Sequence, residues 1–361
     1  MSIFESQEPK SSQNVNCGNV NGSYNNIWNN CDIRVTDERR HILEWLSPIA
    51  PQLRHRDVRS SQVEGVGDWL LRTEEFINWS TGEDGVAIPV LFCDGDPGVG
   101  KTHIRYAPTF SRANGGDQTV VSLCSTLVIE TLCNRNIGKQ VAVACLYCDF
   151  NAHQEQSIAH MLGAILKQVV SGWEHIPPDI GAAFQKSKKN LGGRELDSAE
   201  ILKLLISTLR TLDRSYICID ALDEFSQDHR RELFKSLEQI TRESPSTRLF
   251  VTGRPHIREE VERYFTKRAE IRIIPSEEDI KKYLTMRLSN DPQPTAMNQD
   301  LRENILTTIP EKIAGMYVTD IRALYTLVKG HLLISFQIFT RFVKHERNIG
   351  AVNYPRAERN S

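Results

Sequence analysis

The chain has 361 residues, 44 Lys plus Arg against 46 Asp plus Glu, and a formal charge of -2. That length excludes a peptide or mini-scaffold and allows about two or three domains. The near-neutral balance excludes a global field for gripping nucleic acid or anionic lipid, so any phosphate binding must be local. Eight cysteines are too few for a disulfide scaffold; with no basic-then-apolar leader in sight, the cytosol is the expected compartment.

In chain order, residues 1 to 35 form an Asn-rich leader with eight asparagines between Asn14 and Asn30. Such a composition buries too little surface to order itself, and reads either as a disordered leader or as a β-prone segment that self-associates through Asn ladders. A helical lead-in, 36–86, follows. Asp37 and Glu38 load the first turn of one helix, whose apolar side is Ile42, Leu43, Trp45 and Leu46. VEGVG, Val63 to Gly67, suits a tight turn, and a second helix is predicted from Gly67 to Trp79.

Five short β-rich runs then alternate with helical stretches: Ile88 to Asp94, Val141 to Phe150, Tyr216 to Asp220, Arg248 to Gly253 and Glu270 to Ile274. Near-continuous apolar strands separated by helices predict an α/β fold with a mainly parallel five-stranded sheet covered on both faces. The helices are predicted at Gln156 to Trp173, Ser198 to Leu212, Arg230 to Thr241 and Glu277 to Leu288, the last opened by a capping box of Ser276 and Asp279. This places a nucleotide-type domain at 87–290 and a partial helical region at 291–361. The longest apolar run near the C-terminus, Leu332 to Phe339, is too short to cross a membrane.

GDPGVGKT directly follows the first strand: Gly95, Asp96, Pro97, Gly98, Val99, Gly100, Lys101 and Thr102. The pattern G-x-x-x-x-G-K-[ST] is a phosphate cradle, since glycines let backbone N–H groups close on phosphate oxygens at a helix N-terminus. Lys101 is expected at the β and γ phosphates of ATP or ADP, with GTP left open, and the Thr102 hydroxyl on Mg²⁺. The run YICIDALDEF ends a strand at Asp220, the expected Mg²⁺-side carboxylate. Glu224 is the favoured water-orienting base, with Asp223 as its substitute. Arg254 in VTGRP precedes Pro255, which disfavours helix there and aims the guanidinium out of the sheet toward a γ phosphate.

Other chemistry lacks support. Cys145 and Cys148 form a lone C-x-x-C inside a predicted strand, where residues three apart face opposite sides, so they read as buried thiols. H-E-x-x-H and G-x-S-x-G are absent, which removes zinc-protease and serine-hydrolase readings.

Taken together, VEGVGDWLL (Val63 to Leu71), FCDGDPGVGKT (Phe92 to Thr102), YCDF (Tyr147 to Phe150), ICIDALDE (Ile217 to Glu224) and FVTGRP (Phe250 to Pro255) resemble the NACHT-domain NTPases, particularly the many fungal ones. The resemblance spans about residues 36 to 318. It implies a P-loop NTPase three-layer sandwich of the STAND class, a switch that exchanges ADP for ATP and then oligomerises with protein partners. It implies the same roles for Lys101, Thr102, Asp220, Asp223, Glu224 and Arg254, sets Val66 and Gly67 near the adenine, and makes IAGMY (Ile313 to Tyr317) the start of a helical lid. Family members act in innate immunity, self/non-self recognition or cell death.

Relatives continue helically out of the cradle, whereas here Pro108, Gly115 and Gly116 interrupt that course. Removing Arg105 to Cys124 would join GKTHI to STLVIETL in one amphipathic helix, so a twenty-residue insertion at 105–124 is expected. A second break is expected after Tyr317, and the chain stops at Ser361 before the winged-helix and repeat regions of relatives. The expected function is an Mg²⁺-ATP switch with slow hydrolysis. The competing expectation is a catalytically inert interaction protein that self-associates through its Asn-rich N-terminus; a small-molecule kinase lacks an acceptor site.

Overall fold

The computed structural model describes residues 37–60, 62–82, 88–95, 120–137, 139–149, 156–189, 196–274, 276–289 and parts of 299–310. The Asn-rich leader, Asp96 to Thr102, most of the expected insertion, the 313–317 motif and the C-terminal tail lie outside the described residues. Helices α1 (Asp37–Leu46), α2 (Pro51–Ser60) and α3 (Glu74–Thr81) lead into the sheet of β1 (Val90–Asp94), β2 (Val141–Tyr147), β3 (Arg214–Asp220), β4 (Thr247–Gly253) and β5 (Arg268–Arg272). The intervening helices are α4 (Val120–Arg135), α5 (Ile158–Ser171), α6 (Pro178–Lys189), α7 (Ser198–Leu209), α8 (Gln227–Glu243) and α9 (Arg258–Tyr264), and α10 (Glu277–Ser289) follows β5.

The five strands are all parallel in the order β2-β3-β4-β1-β5. Alternation along each strand sends one set of side chains to each face. Val90, Phe92, Ile217, Ile219, Leu249 and Val251 join α1, α5, α6, α7, α8 and α9 in one core. Leu91, Cys93, Tyr216, Cys218, Phe250 and Ile271 join α3, α4 and α10 in the other. A central parallel strand is apolar throughout because both its faces are covered, and every residue of β4 is accordingly buried. The result is the expected three-layer α/β sandwich.

Strand order also fixes where a ligand crevice opens. The chain leaves β1 through α4 toward the far edge strand β2, then returns through β3 and β4 and passes beyond β1 to β5. A single hand of crossover therefore puts α4 on one face and α5, α8 and α9 on the other. The helices that follow the neighbouring strands β1 and β4, α4 and α9, lie on opposite faces, so the C-terminal ends of these two strands frame the topological switch point.

The lead-in packs into this body. Ile42 and Leu46 of α1 enter the first core, while Leu70, Phe76 and Trp79 enter the second. Arg39, itself buried, donates to the carbonyls of Val170, Ser171, Trp173 and Glu174 at 3.3, 3.0, 2.7 and 3.2 Å, satisfying the open C-terminus of α5. The exposed edge of β2 is also covered. The Gln168 amide accepts from the Cys145 N–H at 2.9 Å and donates to the Cys145 carbonyl at 2.8 Å, standing in for a missing strand.

Two expectations change in detail. The stretch from Gly67 to Trp79 is broken: Gly67, at φ 82°, starts a 3-10 turn over Asp68–Arg72, and Thr73 then caps α3 by accepting from the Phe76 N–H at 3.3 Å. A left-handed residue and a new N-cap reset the chain direction, which apolar periodicity alone cannot register. Residues 120 to 124, placed by the sequence in the insertion, belong to α4, and Cys124 is 1% exposed.

Candidate functional site

The first expected site residue, Gly95, is buried at the exit of β1, and its N–H donates to the Gly253 carbonyl at 3.3 Å. This ties the start of the glycine motif to the end of β4. A Cβ on Gly253 would stand 2.5 Å from the Ile257 Cδ1, so the position admits no side chain without a shift. Just before Gly95, Asp94 is 1% exposed; its Oδ1 accepts from the Arg258 Nη2 at 2.8 Å, and its buried Oδ2 has no hydrogen-bond partner among the described residues. An orphaned carboxylate oxygen is costly and marks this strand exit as a place built for more than packing.

Asp220 lies at the end of β3, 3% exposed. Its Oδ1 accepts from the Ser125 Oγ at 2.5 Å and from the Thr252 Oγ1 at 2.7 Å, so α4 and β4 clamp it from two sides. The Thr252 hydroxyl in turn accepts from the Ala221 N–H at 3.0 Å. That bond holds Ala221 at φ 55° and ψ 46°, a left-handed conformation costly for a residue with a Cβ, at roughly 1–2 kcal/mol. The sharp turn sends the chain directly from Asp220 into a 3-10 turn, Leu222–Glu224, and brings both following carboxylates to the sheet's C-terminal edge.

Asp223 and Arg254 meet there. The Arg254 Nε stands 3.0 Å from the Asp223 Oδ2, with the side chains 36% and 7% exposed. Pro255 at the first position of the next 3-10 turn leaves Arg254 extended at φ -80° and ψ 157°, as the X-Pro restriction predicts. Glu224 is half-buried on the same turn. The turn is anchored behind by Arg230, whose Nη1 donates to the Phe225 carbonyl at 2.8 Å while Nε and Nη2 form a fork on Glu260, both at 2.8 Å. That fork holds the Glu260 carboxyl below its ordinary value.

The structure therefore brings together Gly95, Asp220, Asp223, Glu224 and Arg254. Asp96, Pro97, Gly98, Val99, Gly100, Lys101 and Thr102 lie outside the described residues. Val66 and Gly67 are close by, on the α4 side: a Cβ on Gly67 would stand 3.3 Å from the Cys124 Sγ. The Gly67 N–H already donates to the Asp279 Oδ1 at 3.1 Å, and Lys282 donates to the Gly65 carbonyl at 3.2 Å, so this turn is strapped to α10. Asp279 serves twice, because its own N–H donates the capping bond to the Ser276 Oγ at 3.0 Å.

Ser125, Thr252, Asp94 and Arg258 are missed by sequence reasoning. A hydroxyl within an apolar helix or strand carries no pattern of its own; the available hint was the pair Ser125–Thr126 interrupting an apolar run. The C-x-x-C splits as expected, Cys145 into one core and Cys148 into the other. Burial pushes both thiols up, which keeps them protonated and inert. Among the described residues there is no cluster of His, Cys, Asp and Glu suited to a metal, and no helix long and apolar enough to cross a membrane.

Residues 119–254 match the family model described as Nephrocystin 3, N-terminal. The matched span starts after the glycine motif, at the beginning of α4, and includes Asp220, Asp223, Glu224 and Arg254. None of the curated proteins matches the chain. Among solved structures it is similar to Cdc6p from Pyrobaculum aerophilum, with a TM-score of 0.36 and 16% identity over 73% of this chain and 57% of that one. It is also similar to the Walker-type ATPase PABY2304 of Pyrococcus abyssi, at 0.38 and 11% over 74% and 73%. PCH-2 of C. elegans gives 0.34 and 14% over 90% and 73%. The chain thus spans 57% of the length of the first of these. Over residues 119–254 the chain is thus similar to the Nephrocystin 3 N-terminal family, and that segment carries its strand-end motifs on an all-parallel α/β sheet.

Proposed function

We propose that this protein is an Mg²⁺-ATP-binding switch with slow hydrolysis, acting through protein partners and nucleotide-driven self-association in recognition or cell-death signalling. The observation that carries the reading is Asp220, a buried carboxylate held by two hydroxyls at the end of β3, on the same sheet as the strand that runs into GDPGVGKT and separated from it by β4. Carboxylate and hydroxyl oxygens are the donors a hard divalent cation prefers, so the residues present fit Mg²⁺. The orphaned Asp94 Oδ2 adds unspent acceptor capacity at the foot of the cradle. Thr102 and Asp220 would hold Mg²⁺, which when bound would offset the charge of the phosphate oxygens.

The chain's own groups divide the remaining work. Lys101 and the backbone N–H groups from Gly98 to Thr102 would hold the triphosphate by charge and hydrogen bonding. Asp223 is occupied by Arg254, which favours Glu224 as the group that orients a water. Arg254 is the cation placed to exchange its carboxylate partner for a γ phosphate, so that the pair reports which nucleotide is present. Phosphoryl transfer asks mainly for positioning and charge stabilisation, and a switch benefits from a long-lived bound state.

Thermal unfolding with and without Mg²⁺-ATP tests this reading, alongside equilibrium binding of labelled ATP to the wild type and Lys101→Ala. A stabilisation by nucleotide that is lost with Lys101→Ala is expected by mass action. No stabilisation of the wild type sinks the switch and favours the inert interaction protein.

A further inference from the structure

We propose that Ser125 is a metal-side hydroxyl of this site, sharing the divalent cation with Asp220 in the role that the sequence motif gives to Thr102. The inference rests on the nucleotide reading above and adds a residue outside GDPGVGKT. Its ground is the 2.5 Å contact between the Ser125 Oγ and the Asp220 Oδ1, with both residues buried, at 1% and 3% exposure. No local pattern brings them together. Ser125 lies in the second turn of α4, and Asp220 ends β3, two strands away from β1.

The placement of Ser125 is enforced from several directions. Cys124, Val128, Ile129 and Leu132 of α4 are buried against the sheet and α3, fixing the rotation of the helix. Glu130 on its outer side meets the Arg59 Nε of α2 at 2.6 Å. Thr126, the next residue, makes a side-chain hydrogen bond to Tyr147 at the end of β2, directly beside Asp220 in the sheet register. Sliding α4 by one residue would rotate it about 100° and withdraw Val128 and Leu132 from the core. The helix is therefore locked in the one register that sets Ser125 on the carboxylate.

Chemically, a serine hydroxyl can serve in two ways. Here it donates its proton to Asp220, while Thr252 donates to the same oxygen and keeps the carboxylate oriented. With a cation at Asp220, rotation about the Ser125 Cβ–Oγ bond turns the proton away and leaves an oxygen lone pair facing the ion, with no change of protonation. A hard cation accepts such a neutral oxygen beside a carboxylate. Thr252 is committed differently, because its oxygen already accepts from the Ala221 N–H and its proton holds Asp220. Of the two hydroxyls, Ser125 is the one whose loss leaves the strand-end turn intact.

The test is the Mg²⁺ dependence of ATP binding by the full chain, comparing wild type, Ser125→Ala, Ser125→Thr and Thr102→Ala. Binding of labelled ATP is titrated with Mg²⁺ and repeated in chelator; thermal unfolding in chelator verifies that each variant is folded. Ser125→Ala is expected to raise the Mg²⁺ midpoint by about tenfold or more, with ATP binding in chelator unchanged, and Ser125→Thr to restore the midpoint. A Ser125→Ala midpoint equal to wild type overturns the inference, most pointedly if Thr102→Ala alone moves it. Mg²⁺-dependent binding by the wild type keeps the nucleotide reading standing in that case. If the wild type binds no nucleotide at any Mg²⁺ concentration, both fall together.

Discussion

The Arg254 guanidinium and the Asp223 carboxylate form an ion pair of 3.0 Å across the ends of β4 and β3. The acid is nearly buried and the base about a third exposed, so the carboxylate depends on the arginine more than the reverse. Any group that draws Arg254 away must compensate Asp223 or leave it as an uncompensated charge. A ligand phosphate beside Arg254 would therefore be felt in the turn that carries Glu224.

Arg254→Ala is expected to destabilise the protein by about 1–3 kcal/mol, because the remaining Asp223 loses its partner while staying buried. Asp223→Ala with Arg254→Ala should cost less than the sum of the two single changes. A denaturant double-mutant cycle measures this coupling; additive losses would show that the pair contributes nothing.

His55 on α2 provides a pH test. Its Nδ1 lies 2.7 Å from the Tyr147 hydroxyl, and burial, with Arg59 nearby, lowers its pKa from 6.5 to about 4. Burial raises the Tyr147 pKa, so the phenol stays neutral. Between about 4 and 6.5 the unfolded chain takes up a proton at His55 that the folded chain refuses. Its contribution to stability is then complete above pH 6.5, declines as the pH falls, and is gone below about 4, amounting to at most about 3 kcal/mol. Urea unfolding of wild type and His55→Gln at pH 7.5 and 5 should show a smaller acid loss in the variant.

Gly163 in α5 is required by a close approach. A Cβ there would lie 2.0 Å from the Leu46 carbonyl oxygen, where α1 ends, and Lys167 and the His160 carbonyl bind Ser47 alongside at 2.9 and 2.8 Å. Gly163→Ala should cost about 1–3 kcal/mol despite the better helix propensity of alanine, since backbone cannot rotate out of the way. Gly181 in α6 has nothing within 4 Å of its notional Cβ, and Gly181→Ala should instead stabilise by about 0.4–1 kcal/mol. Chemical denaturation of the two variants reads the contrast; equal effects would contradict the packing of α1 on α5.

How much was legible depends on the residue. The strands lie within about three residues of their apolar runs because parallel strands buried on both faces are apolar throughout. Helices α2, α6 and α9 gave little signal. PQLRHRDVRS buries only Pro51, His55 and Val58, and α9 is seven residues long, so neither shows a full apolar face. At the site, Asp220, Asp223, Glu224 and Arg254 could be found because strand-end carboxylates and an arginine before proline have a defined place in an α/β sheet. Their pairing could not be read, since it depends on how β3 and β4 register.

By itself, the sequence determined the alternation of apolar strands and helices, the glycine motif after the first strand and the acidic turn after the third. These are local properties of composition and spacing, and local properties survive in one dimension. Only the tertiary structure decided which hydroxyl reaches Asp220 and which carboxylate occupies Arg254. Those contacts join residues far apart in the chain, and the packing of α4 beneath the sheet, rather than any neighbour in sequence, holds them within hydrogen-bond distance.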